Sequence, residues 1–257
     1  MRELLSILHP ADYRFMAGIL ESPFNLTDDT RLEQLTAALE SADTPENRSA
    51  LEAHFEKELR YLGSSDLMYA FRNMTGGEGG VQFHEIVRDA AATLKVDAPD
   101  LATDREMVEQ VATDHATVAF AKLPREAQQQ MLEDLGVDRE KARAFLARSA
   151  GVFALPMLIQ AFNVIVVQGL IQTVIFGTIA RIIGSQLAAR LFSFLAARLP
   201  WWVGWIGPAA WTLSLGWTAI DLQGPARRKT VPVVLYLGLC SLRERTAQPS
   251  DVLPRDA

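Results

Sequence analysis

This chain of 257 residues has one cysteine, four histidines and, along most of its second half, almost no acid. The lone Cys240 excludes an intrachain disulfide, so folding does not depend on an oxidising compartment. His9, His54, His84 and His115 are scattered, with no HExxH and no Cys/His ligand spacing, which argues against a metal centre. Gly76-Gly77-Glu78-Gly79-Gly80 has the glycines of a phosphate loop but lacks its Lys-Ser/Thr, and no strand precedes it. It reads as a turn between helices. Ser64-Ser65-Asp66 has the form of a helix cap rather than a nucleophile, and no Ser/His/Asp or paired-carboxylate arrangement stands out. The expectation is a protein that is not an enzyme, with no catalytic residue, metal ligand or cofactor assigned.

The scarcity of charge is local. Residues 1–150 hold 27 Asp and Glu against 16 Lys and Arg, about −11, whereas residues 151–245 hold only Asp221 and Glu244 against eight bases, about +6. Arg148 and Arg181 bracket one run without a charged side chain, and Arg198 and Asp221 bracket another. Each matches the ~20 apolar residues that cross a bilayer as a helix. Trp201, Trp202, Trp205, Trp211 and Trp217, all the tryptophans of the chain, lie in the second run. Tryptophan concentrates where an apolar body and a polar tip face different media, so these five are the expected membrane contacts. A dense basic face of the kind that tracks phosphates is missing, which disfavours nucleic acid. A lipid surface and a buried core both accommodate such a tract; the charge asymmetry favours lipid. With no signal peptide in MRELLSILHPADYRF, the expectation is synthesis in the cytoplasm and later association with, or insertion in, the inner membrane.

Apolar spacing throughout the first half is helical rather than alternating, which predicts an all-α protein: a multi-helix bundle with a strongly apolar C-terminal half. Three regions are expected: a soluble acidic helical region 1–150, an apolar membrane-interacting helical region 151–245, and a tail 246–257. Leu4, Leu5 and Leu8 form a short element ended by Pro10. Thr44-Pro45 is an N-cap with proline at the first helical position of the helix through Leu51, Phe55 and Leu59.

In the apolar half, Ala154 to Ile183 would measure ~45 Å as one helix, longer than a ~30 Å hydrocarbon core. It must tilt, protrude or bend. Projected at helical spacing, Gln160, Asn163, Gln168 and Gln172 form an amide stripe. Gly169, Thr173 and Gly177 form a small-residue stripe on the complementary side, suited to close helix packing. Val231–Leu242 is apolar but too short to span alone. Asp221 lies in a tract almost free of acids, across the Gly224-Pro225 turn from Arg227, Arg228 and Lys229. An isolated carboxylate amid apolar surface is costly unless paired, so Asp221 with Arg228, or a neighbouring base, is the expected structural clamp.

The run Trp217-Thr-Ala-Ile-Asp221-Leu-Gln-Gly-Pro-Ala226-Arg-Arg-Lys-Thr-Val-Pro232, with Gly207-Pro208 before it, resembles the YaaW family of uncharacterised bacterial proteins, which is grouped with the ubiquinol–cytochrome c chaperones. Glu58–Gly63 and Phe83–Asp89 sit where that family has similar helical segments, and the resemblance covers about residues 50–245. It implies assistance to membrane-complex assembly without catalysis. Two function classes therefore stand. One is a membrane-inserting, pore-forming-like protein whose apolar helices 151–220 enter or pack at the bilayer. The other is a membrane-associated assembly chaperone or adaptor. The lipid bilayer is the expected partner of the first, with self-association in the bilayer; a protein client is the partner of the second. The uncharged length of the apolar run favours insertion.

Overall fold

The computed structural model describes residues 1–20, 26–62, 81–97, 103–149, 153–199 and 227–247. The fold is all-α. The described residues form twelve α-helices: α1 (Arg2–Ser6), α2 (Pro10–Leu20), α3 (Leu26–Ser41), α4 (Pro45–Leu62), α5 (Phe83–Leu94), α6 (Asp104–Ala121), α7 (Arg125–Asp134), α8 (Arg139–Ser149), α9 (Leu155–Ala161), α10 (Val164–Ile183), α11 (Ser185–Arg198) and α12 (Arg227–Ala247). Local signals explain several of the boundaries. Thr103 and Glu106 close a capping box on α6, and the Asn47 N–H of α4 donates to Thr44 Oγ1 at 3.2 Å. Pro10 opens α2 rather than ending α1, because its fixed φ and missing N–H suit the first turn of a helix. Gly184, at φ +89°, separates α10 from α11.

The bundle is built around its last helix. Every residue of α12 from Thr230 to Ser241 is buried. A helix apolar on all sides belongs at the centre of a bundle. It lies against α6, α10, α5, α2 and α4, and α10 in turn packs on α6, α11 and α7. One hydrophobic core therefore runs from Leu4 to Cys240 and draws on both halves of the chain. The change of composition near Ser149 is not a packing boundary. The acidic region expected at 1–150 shares its core with α10 and α12: α12 packs on α2, α5 and α6, and α10 on α6.

Two glycines test this packing. A Cβ on Gly238 of α12 would meet the Val108 carbonyl oxygen at 2.5 Å and the Ala112 Cβ at 2.6 Å, so the backbones of α12 and α6 are at closest approach there. A Cβ on Gly18 would meet only the end of the Leu191 side chain, at 2.6 Å, which can rotate away. Gly238→Ala is thus expected to cost about 1–3 kcal/mol in denaturant unfolding, and Gly18→Ala markedly less. Equal effects would mean that α12 can shift freely against α6.

Candidate functional site

The apolar helix singled out by composition is α10, and its start is determined by one side chain. The long segment bends: Phe162 ends α9 and Asn163 takes an extended backbone, its Oδ1 accepting the Val166 N–H at 2.8 Å. That cap leaves a helix of 20 residues, about 30 Å long. Among the described residues α10 is the one helix long and apolar enough to cross a membrane. Its mean hydropathy is 1.7 over the most apolar stretch, and 78% of that stretch is buried inside the bundle.

Aromatic packing and a buried polar contact hold α10 in place. Phe176 of α10 meets Phe192 of α11 with ring centroids 5.0 Å apart, and Phe15 of α2 and Tyr236 of α12, themselves 4.3 Å apart, complete the cluster. On another side, His115 of α6 approaches Thr178 of α10, with 2.8 Å between Nε2 and Oγ1. The Thr178 hydroxyl donates its single proton to the Val174 carbonyl at 3.0 Å, so the histidine is the donor of that contact and carries its proton on Nε2. Burial, and then the charge of Lys122, lower the His115 pKa from 6.5 to about 4. At neutral pH the imidazole is uncharged.

The residues picked out from sequence have distinct fates. Gly169, Thr173 and Gly177 are all buried. The amide stripe is divided by the bend: Gln160 is exposed on α9 and Asn163 acts as a cap, while Gln168 and Gln172 stay half-buried on α10. Trp201, Trp202, Trp205, Trp211, Trp217 and Asp221 lie outside the described residues. Arg228 is exposed in the first turn of α12. Its neighbours have partners elsewhere: Arg227 pairs with Asp89 of α5 at 3.0 Å, and Lys229 Nζ donates to the Leu20 carbonyl at the end of α2 at 2.6 Å. A cation over the last carbonyl of a helix is favourably placed against its dipole.

Two buried acids that sequence reasoning passed over do the clamping seen in the structure. Asp12 of α2, fully buried, accepts from the Tyr236 hydroxyl at 2.7 Å, from Arg243 Nη1 at 3.0 Å and from the His9 N–H at 2.8 Å. Glu109 of α6 accepts from Ser241 Oγ at 2.6 Å, Arg245 Nη1 at 2.7 Å and Arg105 Nε at 3.2 Å. Both tie down the C-terminal half of α12. Burial and the Asp12 charge push the Tyr236 phenol and the neighbouring Cys240 thiol well above their usual ranges, so both keep their protons. A sequence signal existed for Asp12, the only acid between Glu3 and Glu21, set in a helix whose one other charged residue is Arg14.

An open cleft of about 610 Å³ lies beside Lys95, Asp97, Gln110, Asp114 and Phe153; among the described residues its lining includes threonines but no histidine, cysteine or serine. Among the described residues no three His, Cys, Asp or Glu side chains are grouped to hold a metal ion. Comparison with family models, with curated proteins and with solved structures returned no match.

Proposed function

We propose that this protein is a non-enzymatic membrane-inserting helical protein, pore-forming-like in outline, whose apolar helices 151–220 enter or pack at the bilayer, with α10 kept inside a charged helical bundle until then. The apolar C-terminal half is then the working part, the lipid bilayer its partner, and the inner membrane of a bacterial cell its place of action. The observation that carries this reading is α10: a helix of spanning length and hydropathy with no charged residue before Arg181, covered on most of its surface by other helices. A helix of this kind can exchange protein neighbours for lipid while its backbone ladder stays satisfied, because the hydrogen bonds of that ladder lie within the helix. A polar contact that retains it joins His115 of α6 to Thr178.

The test is release of an entrapped dye from phosphatidylcholine–phosphatidylglycerol vesicles by the purified full chain. Leakage is expected, with a blue shift of the emission of the five clustered tryptophans. Neither leakage nor a shift at any pH between neutral and mildly acid would make α10 the core helix of a soluble bundle. The second reading, an assembly chaperone or adaptor, draws on the YaaW-like run ending at Pro232. It would show itself as vesicle binding without leakage.

A further inference from the structure

We infer that the corner where α8 meets the α9–α10 bend is the edge by which the protein first docks on an anionic bilayer, before any helix is released. This rests on the membrane-inserting reading above and assigns it a surface. All the exposed large hydrophobic side chains among the described residues lie in nine consecutive positions: Met157 (41% exposed), Ile159 (40%), Val164 (50%) and Ile165 (61%). They flank the bend at Phe162–Asn163. A folded monomer rarely gathers its exposed aliphatic side chains at one place without a use for them.

The charge beside this tip indicates the occupant. Helix α8 lies against the bend through Phe145, whose ring is 4.7 Å from that of Phe162 and 5.9 Å from that of Phe153. The Lys141 ammonium stands 5.8 Å from the Phe162 ring centroid. Helix α8 exposes Arg139, Lys141, Arg143 and Arg148; the acids Asp138 and Glu140 lie at its N-terminal end, where Glu133 pairs with Arg139 at 3.7 Å, so the basic excess is carried by Lys141, Arg143 and Arg148. Beyond Glu140 no Asp or Glu occurs until Asp221. On a chain of net charge −6, this corner is therefore a basic rim beside an apolar tip. That is the combination an anionic lipid surface selects: bases at the headgroups and aliphatic side chains ~5–10 Å deeper. A second copy joined through the same patch would oppose base to base. Four half-exposed side chains also fall well short of the ~800 Å² per partner of a stable dimer. The helices before α8, in which acids outnumber bases, would be repelled from the bilayer, which orients the molecule with the bend leading.

The experiment is co-sedimentation of the full chain with phosphatidylcholine vesicles, with and without phosphatidylglycerol, for three proteins: wild type, Val164→Asp/Ile165→Asp, and Lys141→Glu/Arg143→Glu/Arg148→Glu. All substituted positions are exposed, and thermal unfolding of each variant checks that the bundle is retained. The tip variant is expected to bind anionic vesicles at least about tenfold more weakly. The rim variant is expected to lose about a hundredfold on anionic vesicles and little on neutral ones, with the wild-type advantage fading at high salt. Wild-type vesicle binding and leakage that neither variant changes would overturn this docking edge and leave the membrane reading standing. No wild-type binding to either vesicle would overturn both. Self-association in sedimentation velocity that the tip variant abolishes, with vesicle binding intact, would assign the patch to a second copy and overturn the inference.

Discussion

Asp12→Ala is expected to lose about 3–5 kcal/mol of stability, the largest effect of any single substitution considered for this chain. Three donors converge on that carboxylate, from α12 through Tyr236 and Arg243 and from the turn before α2 through His9. Asp12 is fully buried and the Arg243 side chain is only 11% exposed, so removing the acid leaves a mostly buried guanidinium without that counter-charge, its other Nη still donating to the Ile7 carbonyl at 3.0 Å. The cost is that uncompensated charge, more than the lost attraction. Against a typical total stability of ~5–15 kcal/mol, this is a large share. Asp12→Asn keeps the shape and some of the hydrogen bonds, and is expected to lose less. Urea unfolding measures both. In a double-mutant cycle, Asp12→Ala with Arg243→Met should show coupling well above the ~0.5 kcal/mol expected of independent sites. Additive losses would mean that Arg243 finds another partner and that α12 is not pinned through Asp12. Under the proposed function, loosening α12 also frees α10, because Tyr236 and Phe176 share one aromatic cluster; vesicle leakage by Asp12→Asn should rise.

Acidification is expected to weaken the bundle through His115. The folded pKa of about 4 lies below the ordinary 6.5, so the folded state resists a proton that the unfolded chain accepts. Above pH 6.5 neither state binds it, and the histidine imposes no penalty. As pH falls from 6.5 towards 4, only the unfolded chain protonates, and stability declines by up to about 3 kcal/mol, at 1.36 kcal/mol for each unit of difference. Below that the folded state protonates too and the decline from this group ends. His115→Gln retains a donor for Thr178 and removes the titration. Unfolding free energies of wild type and variant should differ by one amount near neutral pH and shift towards the variant by roughly 3 kcal/mol near pH 4. A wild-type-to-variant difference that is constant over that range would show that His115 titrates as it does in the unfolded chain. The location gives the effect its meaning: the histidine donates to the helix of spanning length, so acid weakens the attachment of α10 to α6.

Helix type, several caps and the apolar segment were legible from local sequence. Thr44-Pro45 opens a helix because an N-cap oxygen and a proline act within one turn, whatever the rest of the chain does. The bend at Asn163 was one of three ways to accommodate a 30-residue apolar segment; a backbone break capped by the Asn163 amide decided among them. The partition at Ser149 was read from average composition, which registers charge along the chain but carries no information about which helix covers which. Val231–Leu242 illustrates the gap. As sequence it is a short apolar run with a proline; as structure it is the axis of the bundle, with Gly238 set against Val108 and Ala112.

Composition and periodicity by themselves determined that this is a helical protein without an intrachain disulfide, that two uncharged runs have the length and apolarity of a membrane span, and that bases rather than acids accompany them. These are properties of neighbours in the chain, within reach of one or two helical turns. Only the tertiary structure decided that α10 is covered, that α12 fills the centre, and that Asp12 finds Arg243 at a separation of 231 residues. It also placed His115 against Thr178 and left Met157, Ile159, Val164 and Ile165 at the surface beside α8. The physical reason is common to all of these. Burial and pairing depend on which distant side chains share a volume, and no local average of sequence records that.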